Sequence, residues 1–490
     1  MGLSIQPNGV VRPLVRVADH VPRLGANVRI TPQARCYAIA ELCRRAGVAG
    51  DFFREWKISV GPARTTVEIC NGRSKLISFP HVSLDALKSL GSRSVCFAAV
   101  PVTRKLAAPG SGAISHCIVP FVSHQDSDSL PLFYLVDQDH LECAVDLPLS
   151  ILLTLSRCEE LLDPSRDAHG RFPVQRSVAS AGGFLDRPIV DECALAFEQA
   201  LCLLFPSWKT VARKLRIKVS HDIDHVGIPF RFKKALRYAI RDRAPRHSLR
   251  EFSSWIGDAE PTELRSVWDI VRISNEHGVA SSVYWKAAPP SPADSGYDPR
   301  HRKIRRVLEW LRKLGVECGV HPGYATFRSP EKLRREVSIL RDLLGPQPLG
   351  GRQHYLRWCP DTWIDWENCG LAYDSSVGYA DQIGFRAGTC IPYRPWIFSL
   401  NRQSDLLEIP LLVMDRTLVV KMKLEKAEAL QAVDGLLARC KAVGGVFTLL
   451  WHNDSFLEPA YREIYLCLLK TLSGAENYNW QADEATSSAS

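Results

Sequence analysis

Leu215-Arg216-Ile217-Lys218-Val219 alternates apolar and basic residues and runs straight into Ser220-His221-Asp222-Ile223-Asp224-His225. The alternation has the period of a strand. The sequel sets two carboxylates and two imidazoles in the turn that follows. Side chains of this kind, gathered at the carboxyl end of a strand, mark where parallel α/β folds build their sites.

Working outward from that strand, the same rhythm continues. Apolar spacing predicts helices over 262–277, 299–314, 330–344, 361–369 and 421–440. Between them lie predicted strands at 281–286, 316–321, 349–354, 371–376, 406–413 and 446–451. About seven strands mostly separated by helices imply parallel pairing through right-handed crossovers. Roughly 260 residues of this pattern suit a closed or nearly closed β/α barrel, and a doubly wound open sheet is the alternative. Neither G-x-G-x-x-G nor G-x-x-x-x-G-K-[ST] occurs, which disfavours a nucleotide cofactor.

Upstream the texture differs. Residues 1–208 read as a smaller mixed α/β accessory domain, with a helix at 35–45 and short strands at 67–70, 95–100, 118–122 and 132–136. Helices at 147–162 and 189–205 flank a polar loop at 163–173. Pro206-Ser207-Trp208 marks the boundary, the barrel occupies 209–475, and a polar tail, 476–490, is expected to be disordered.

Composition narrows the class. The chain has 490 residues, 62 Lys+Arg against 53 Asp+Glu, a net charge of +9, 46% hydrophobic and 23% charged residues. Those proportions exclude a disordered chain, a collagen-like polymer and a coiled-coil rod. The longest apolar runs, Leu147 to Leu155 and Val446 to Trp451, fall far short of the roughly 20 residues that a bilayer core requires. The first 30 residues carry arginines without a continuous apolar stretch, so no export signal is expected. The 15 cysteines show no C-x-x-C spacing, which points to reduced thiols and a cytoplasmic setting.

The chemistry collects where strands end. The first strand yields Asp222 and Asp224. Another yields His321-Pro322-Gly323-Tyr324, the next Arg352-Gln353-His354-Tyr355, the next Asp374-Ser375-Ser376, and the last Trp451-His452-Asn453-Asp454. Two carboxylates two residues apart can divide their labour, one ligating a divalent cation and the other acting as a base. The plainer alternative is a capped turn at Asp222 or Asp224. His321 and His354 are ligand candidates by their shared address, and each alone reads as a loop histidine. His452, leaving a buried strand, suits general-acid work near neutral pH or a hydrogen-bonded core position. Arg352 reads as a salt-bridge partner or as the group that orients a catalytic carboxylate.

In this order the motifs resemble those of the polysaccharide deacetylases, the chitooligosaccharide-deacetylase homology group, over roughly residues 215 to 455. His221-Asp222-Ile223-Asp224 is similar to the first motif and Glu317-Cys318-Gly319-Val320-His321 to the second. Arg352-Gln353-His354-Tyr355 is similar to the third, Tyr373-Asp374-Ser375-Ser376 loosely to the fourth, and Leu450-Trp451-His452 to the fifth. The segment Asp374 to Pro395, with Gly384 to Thr389, resembles a subgroup from bacterial surface-polysaccharide pathways. Ser156 to Glu160 and Asp167 to Phe172 are similar to the domain that precedes the barrel there.

The resemblance implies a distorted seven-stranded β/α barrel and metal-assisted removal of N-acetyl or other acyl groups from a carbohydrate. It implies Asp222 as general base, held by Arg352, and the backbone N–H of Tyr355 as an oxyanion donor. His452 would protonate the departing amine. Asp224 and His321 would be metal ligands, the ion being zinc first, with cobalt, nickel or manganese also compatible. Tyr324, Asp374, Arg386 and Trp451 are the expected substrate contacts. One departure is plain: Ala325 stands four residues after His321, where that family carries a second histidine. His354, at another strand end, is preferred to His225 as the replacement ligand. A metal-free amidohydrolase on a small amide and a catalytically silent glycan-binding scaffold remain the alternatives.

Arg231 to Arg250 holds eight basic residues against one acid, Asp242. It reads as a solvated helix face, or as a surface for an anionic glycan or lipid-linked intermediate. No nucleic-acid recognition pattern accompanies it.

Overall fold

The computed structural model describes residues 28–48, 56–71, 73–82, 97–101, 116–120, 131–228, 239–240 and 245–483. Helix α1 (Pro32–Arg45) starts at Thr31, whose hydroxyl accepts the Ala34 N–H, with Pro32 opening its first turn. Strands β1 (Trp56–Val60), β2 (Arg64–Asn71) and β3 (Arg73–Pro80) pair antiparallel in succession. β4 (Phe97–Pro101) and β5 (His116–Pro120) form a separate antiparallel pair. β6 (Phe133–Leu135) and β7 (His140–Cys143) complete a five-stranded sheet in the order β1-β2-β3-β7-β6.

Helices α2 (Leu147–Leu155), α3 (Cys158–Leu162), α4 (Val178–Ala181) and α5 (Ile189–Leu204) follow. Every residue of α2 is buried, as its uniformly apolar sequence requires. The single helix predicted over 147–162 is broken, because Arg157 adopts φ 53°. The guanidinium of this buried arginine pairs with Glu159 and Glu160 and donates to the Arg386 carbonyl, which fixes the break.

The C-terminal half is built on parallel strands. β8 (Arg216–Asp222) is followed by α6 (Pro245–Ile256), α7 (Thr262–Glu276), β9 (Ser281–Trp285), α8 (Arg302–Lys313), β10 (Glu317–Val320), α9 (Pro330–Leu344) and α10 (Pro360–Asn368). Then come β11 (Tyr373–Asp374), β12 (Trp396–Ile397), β13 (Arg402–Gln403), β14 (Leu407–Glu408), β15 (Val413–Met414), α11 (Lys426–Val443), β16 (Val446–Leu450), α12 (Pro459–Leu472) and β17 (Glu476–Asn477). The parallel ladder runs β10-β9-β8-β16-β15, and β11 pairs parallel with β14. Gly351 bridges Val320 on one side and Asp374 on the other. The strand predicted over 349–354 is thus reduced to isolated bridges. A Cβ on Gly351 would lie 1.8 Å from the Val320 carbonyl oxygen, and one on Gly350 would lie 2.1 Å from the Tyr373 ring. Two consecutive glycines are what let the segment pass between its neighbours.

The two halves share one apolar core, which continues from α1 and α5 to α11 and β16. Polar ties reinforce it: Asp191 of α5 accepts from Thr389 and Cys390, and Arg386 forms a fully buried pair with Glu160. The end of the chain departs from expectation. β17 pairs parallel with β8, Trp480 is buried, and Asp483 pairs with Arg216, so order extends to at least residue 483. Residues 484–490 of the predicted tail lie outside the described residues. Among the described residues no helix is long and apolar enough to cross a membrane.

Candidate active site

A cavity of about 450 Å³ opens at the carboxyl ends of β8, β10, β15 and β16 and against the 353–356 turn. That volume suits a small organic group or one sugar ring with its substituent. Asp222, Asp224, His321, His354, Tyr355 and His452 all line it. Residues separated by 230 positions in the chain meet there because parallel strands put all their carboxyl ends on one side.

Asp222 is the last residue of β8 and almost wholly buried. Arg352 Nη1 donates to its Oδ1 at 2.9 Å and to Ser220 Oγ at 3.0 Å, while Nε donates to the Ser375 carbonyl at 2.9 Å. The guanidinium stands 5.3 Å from the Tyr284 ring centroid. Arg352 is therefore locked from several sides and presents a fixed partner to the carboxylate.

Two residues on, Asp224 Oδ1 lies 3.3 Å from His321 Nε2 and 3.1 Å from His354 Nε2. Ligand atoms of these three buried residues all fall within 4.8 Å of one another. His321 Nδ1 donates to the Arg352 carbonyl at 2.7 Å, which directs the lone pair of Nε2 at the Asp224 carboxylate. Burial pulls the His321 pKa down, which keeps the ring neutral. Nε2 makes no hydrogen bond, so a buried lone pair faces a carboxylate. A cation between them removes that conflict, and one Asp with two His is a donor set that zinc accepts. The residues fit a divalent ion. His225, the other candidate ligand, instead stands 3.7 Å from Asp454.

Sequence reasoning missed the groups around this cluster. Lys286, the residue after β9, is buried and donates to Asp224 Oδ1 at 2.9 Å; Asp294 Oδ1 lies 3.3 Å from its Nζ. Asp294 also faces His354 Nδ1 at 2.7 Å. Burial alone would raise the Asp224 carboxyl, but His354 and Lys286 hold it well below the usual carboxylate range. Burial likewise opposes ionisation of Asp294, yet hydrogen bonding to His354 brings it down to about 2. On the other wall, Asp415 accepts from His452 Nδ1 at 2.7 Å and from the His452 backbone N–H at 2.9 Å. Burial disfavours the imidazolium, but Asp415 raises the His452 pKa above its ordinary value. His452 Nε2 is thereby turned toward the cavity, 3.7 Å from Asp224 Oδ2. Lys286 and Asp415 both follow strands directly, so the strand-end rule already contained the signal.

His169 and Arg171, from the N-terminal half, complete the rim. Arg171 Nη1 donates to the Tyr355 carbonyl at 3.0 Å, and Arg357 Nε donates to the His169 carbonyl at 2.7 Å. Tyr355 and Leu356 adopt φ 61° and 52° at the cavity lip, a left-handed pair that costs of order 1–3 kcal/mol per residue.

The expected substrate contacts distribute differently. Tyr324 stands behind the rim, its hydroxyl 3.2 Å from His169 Nδ1 and its ring beneath Arg357. Asp374, Arg386 and Trp451 do not reach the cavity. Asp374 is buried beside Glu408 and bonded to Ser376, and burial pushes its pKa up to about 7. Arg386 is consumed by Glu160 and the Gly378 carbonyl. The Trp451 side chain turns away to pack on Tyr465, 5.1 Å between ring centroids. Of the basic run at 231–250, residues 231–238 and 241–244 lie outside the described residues; Arg246 and Arg250 are exposed on α6.

Comparison with known proteins yields distant matches. Residues 112–206 match a family of unknown function, DUF7033. No curated protein matches the sequence. Among solved structures, the chain is similar to a protein from Mycobacterium smegmatis named as a polysaccharide deacetylase, at 14% identity and a TM-score of 0.40, over 58% of this chain and 93% of that one. A Bordetella bronchiseptica protein named as a polysaccharide deacetylase of O-antigen biosynthesis matches at 16% identity and a TM-score of 0.30, over 55% of this chain and 87% of that one. An allantoinase matches at 14% identity and a TM-score of 0.37, over 55% and 89%.

Proposed function

We propose that this protein is a hydrolase of a carbon–nitrogen bond, removing an acyl group, N-acetyl foremost, from an amino sugar of a surface polysaccharide. The observation that carries the reading is the position of Asp224. Two histidines approach one of its oxygens at 3.1 and 3.3 Å, and His452 faces the other at 3.7 Å. A cation site, a base and an acid therefore surround one cavity. The parallel ladder supports a distorted seven-stranded barrel when residues 407–414 are counted as one bent strand, joined to β11 at its start and to β16 at its end.

Asp224, His321 and His354 would hold a divalent ion, zinc first. Bound there, the ion supplies Lewis-acid polarisation of the acyl carbonyl. Asp222, fixed by Arg352, accepts a proton from the attacking water. The Tyr355 N–H donates to the oxyanion that develops, a contribution of about 3 kcal/mol for one preset donor. His452, protonated on both ring nitrogens, delivers the proton from Nε2 to the departing amine, while Asp415 accepts from Nδ1, stabilises the imidazolium and keeps Nε2 turned to the cavity. The apolar patch formed by Leu356, Ala380 and Leu450 suits the methyl group of an acetyl.

The test is acetate release from N-acetylated oligosaccharides, with zinc, cobalt, nickel or manganese supplied in turn. Turnover that falls in Asp222→Asn and in His452→Ala supports the reading. Acetate at background with every ion, or variants as active as the parent, overturns it.

A further inference from the structure

Lys286 stands where a cation belongs. Its Nζ donates to Asp224 Oδ1 at 2.9 Å and lies 3.2 Å from His354 Nε2, so it addresses two of the three ligand atoms assigned to the divalent ion. It is almost wholly buried, and β9 and the Tyr297 hydroxyl fix its backbone. Asp294 lies 3.3 Å from the same ammonium and is itself buried. The ammonium therefore has two carboxylates within reach, one inside the ligand set and one behind it.

We infer that Lys286 is a built-in competitor for the cation site, an ammonium that fills the ligand set in the ion-free protein and must shift to Asp294 before a divalent ion is bound. The inference rests on the proposed metal-hydrolase reading and deepens it. Three physical arguments support it. A cation ligated by Asp224 and His354 sits about 2.0–2.2 Å from each donor atom, which is space that an ammonium this close to both cannot share. An ammonium that stayed close would repel the incoming ion with little screening in this buried setting. Finally, a buried ammonium without a carboxylate is costly, and Asp294 offers a second one along a short path. The consequence is a site that keeps its ligand geometry when empty but binds ions less tightly than the same ligands would alone. Lys286 acts here as a positioning residue, through the ligand atoms.

The experiment measures zinc and cobalt affinity by calorimetry on the full chain, freed of metal, for the parent, Lys286→Met and Asp224→Asn. Lys286→Met is expected to bind zinc at least tenfold more tightly, a gain that general loosening of the fold would not produce. Asp224→Asn is expected to lose binding. Lys286→Gln, smaller and polar, serves as the second variant should the methionine form fail to fold, with the same direction expected. Equal or weaker binding in a folded Lys286 variant overturns the competitor role while leaving the metal site standing. No binding by either the parent or the Lys286 variants overturns the metal reading itself, and the competitor role with it.

Discussion

Replacing Arg352 by Met isolates how much of the site depends on one buried charge pair. Arg352 and Asp222 are both almost inaccessible, and Nη1 meets Oδ1 at 2.9 Å. Removing one partner of such a pair leaves the other charge buried and uncompensated, a loss of about 3–5 kcal/mol. His321 Nδ1, 3.7 Å from Asp222 Oδ2, is already committed to the Arg352 carbonyl and cannot take over. The reverse change, Asp222→Asn, leaves Arg352 with the Ser375 carbonyl, Ser375 Oγ and Ser220 Oγ as acceptors, so it is expected to cost only about 1–2 kcal/mol. In the double variant neither charge is stranded. Its stability is therefore expected to match or exceed that of Arg352→Met alone, which makes the two losses strongly non-additive. Urea unfolding followed by fluorescence gives the three values, the buried tryptophans serving as reporters. Losses that add to within about 0.5 kcal/mol would refute the coupling and, with it, the reading of Arg352 as the fixed partner of the Asp222 carboxylate.

Further outcomes are expected from the same geometry. Asp415→Asn and His452→Ala should each lower kcat on an N-acetylated substrate by roughly 10²–10⁴-fold, because in the proposed mechanism Asp415 stabilises the His452 imidazolium and His452 carries the proton; a tenfold or smaller loss in both would count against a general acid at this position. His321→Ala and His354→Ala should each reduce zinc uptake, read by metal analysis after dialysis, and retention of stoichiometric zinc in both would reject the ligand set. Glu336→Gln tests a buried carboxyl that accepts the Gly323 N–H at 2.8 Å, and burial raises its pKa to about 7. A raised folded pKa means that stability is full below the unfolded value near 4.5 and is lost as pH rises through about 7. The glutamine variant should therefore be more stable than the parent at pH 8, by about 3 kcal/mol at most, with the difference fading by pH 4.5; a difference independent of pH would exclude this origin.

The strand-end argument exposed Asp222, Asp224, His321, His354 and His452 because it follows from topology: parallel strands deliver their carboxyl ends to one side, whatever lies between them. The same rule contained Lys286 and Asp415, which each follow a strand directly, but neither belongs to a motif. Lys286 closes the strand predicted over 281–286, and the fold places it among Asp224, Asp294 and His354. Asp374, Arg386 and Trp451 fail in the opposite sense. Arg386 lies in a loop far from any strand end and is taken up by Glu160. Asp374 and Trp451 do lie at strand ends, but adjacent side chains there point to opposite faces, and Trp451 follows its strand into the core while His452 turns outward. A correct strand thus leaves the facing of its last residues open by one position.

The N-terminal half was less legible for a different reason. Its sheet mixes antiparallel neighbours with the parallel pair β3 and β7, so strand order cannot be inferred from succession along the chain. Arg157 breaks a helix that its apolar spacing predicts as continuous, and the cause is remote: Arg386, 229 residues later, supplies the carbonyl that its guanidinium binds. The same remoteness hides His169 and Arg171. Nothing in the local sequence of that loop marks it as part of a cavity; Arg171 reaches it only through the Tyr355 carbonyl, 184 residues away. The rim residue Tyr355 holds a left-handed backbone, and Arg171 is the group that secures the carbonyl at that strained turn. The N-terminal half is therefore joined to the lip of the cavity, through Arg171 and the Tyr355 carbonyl.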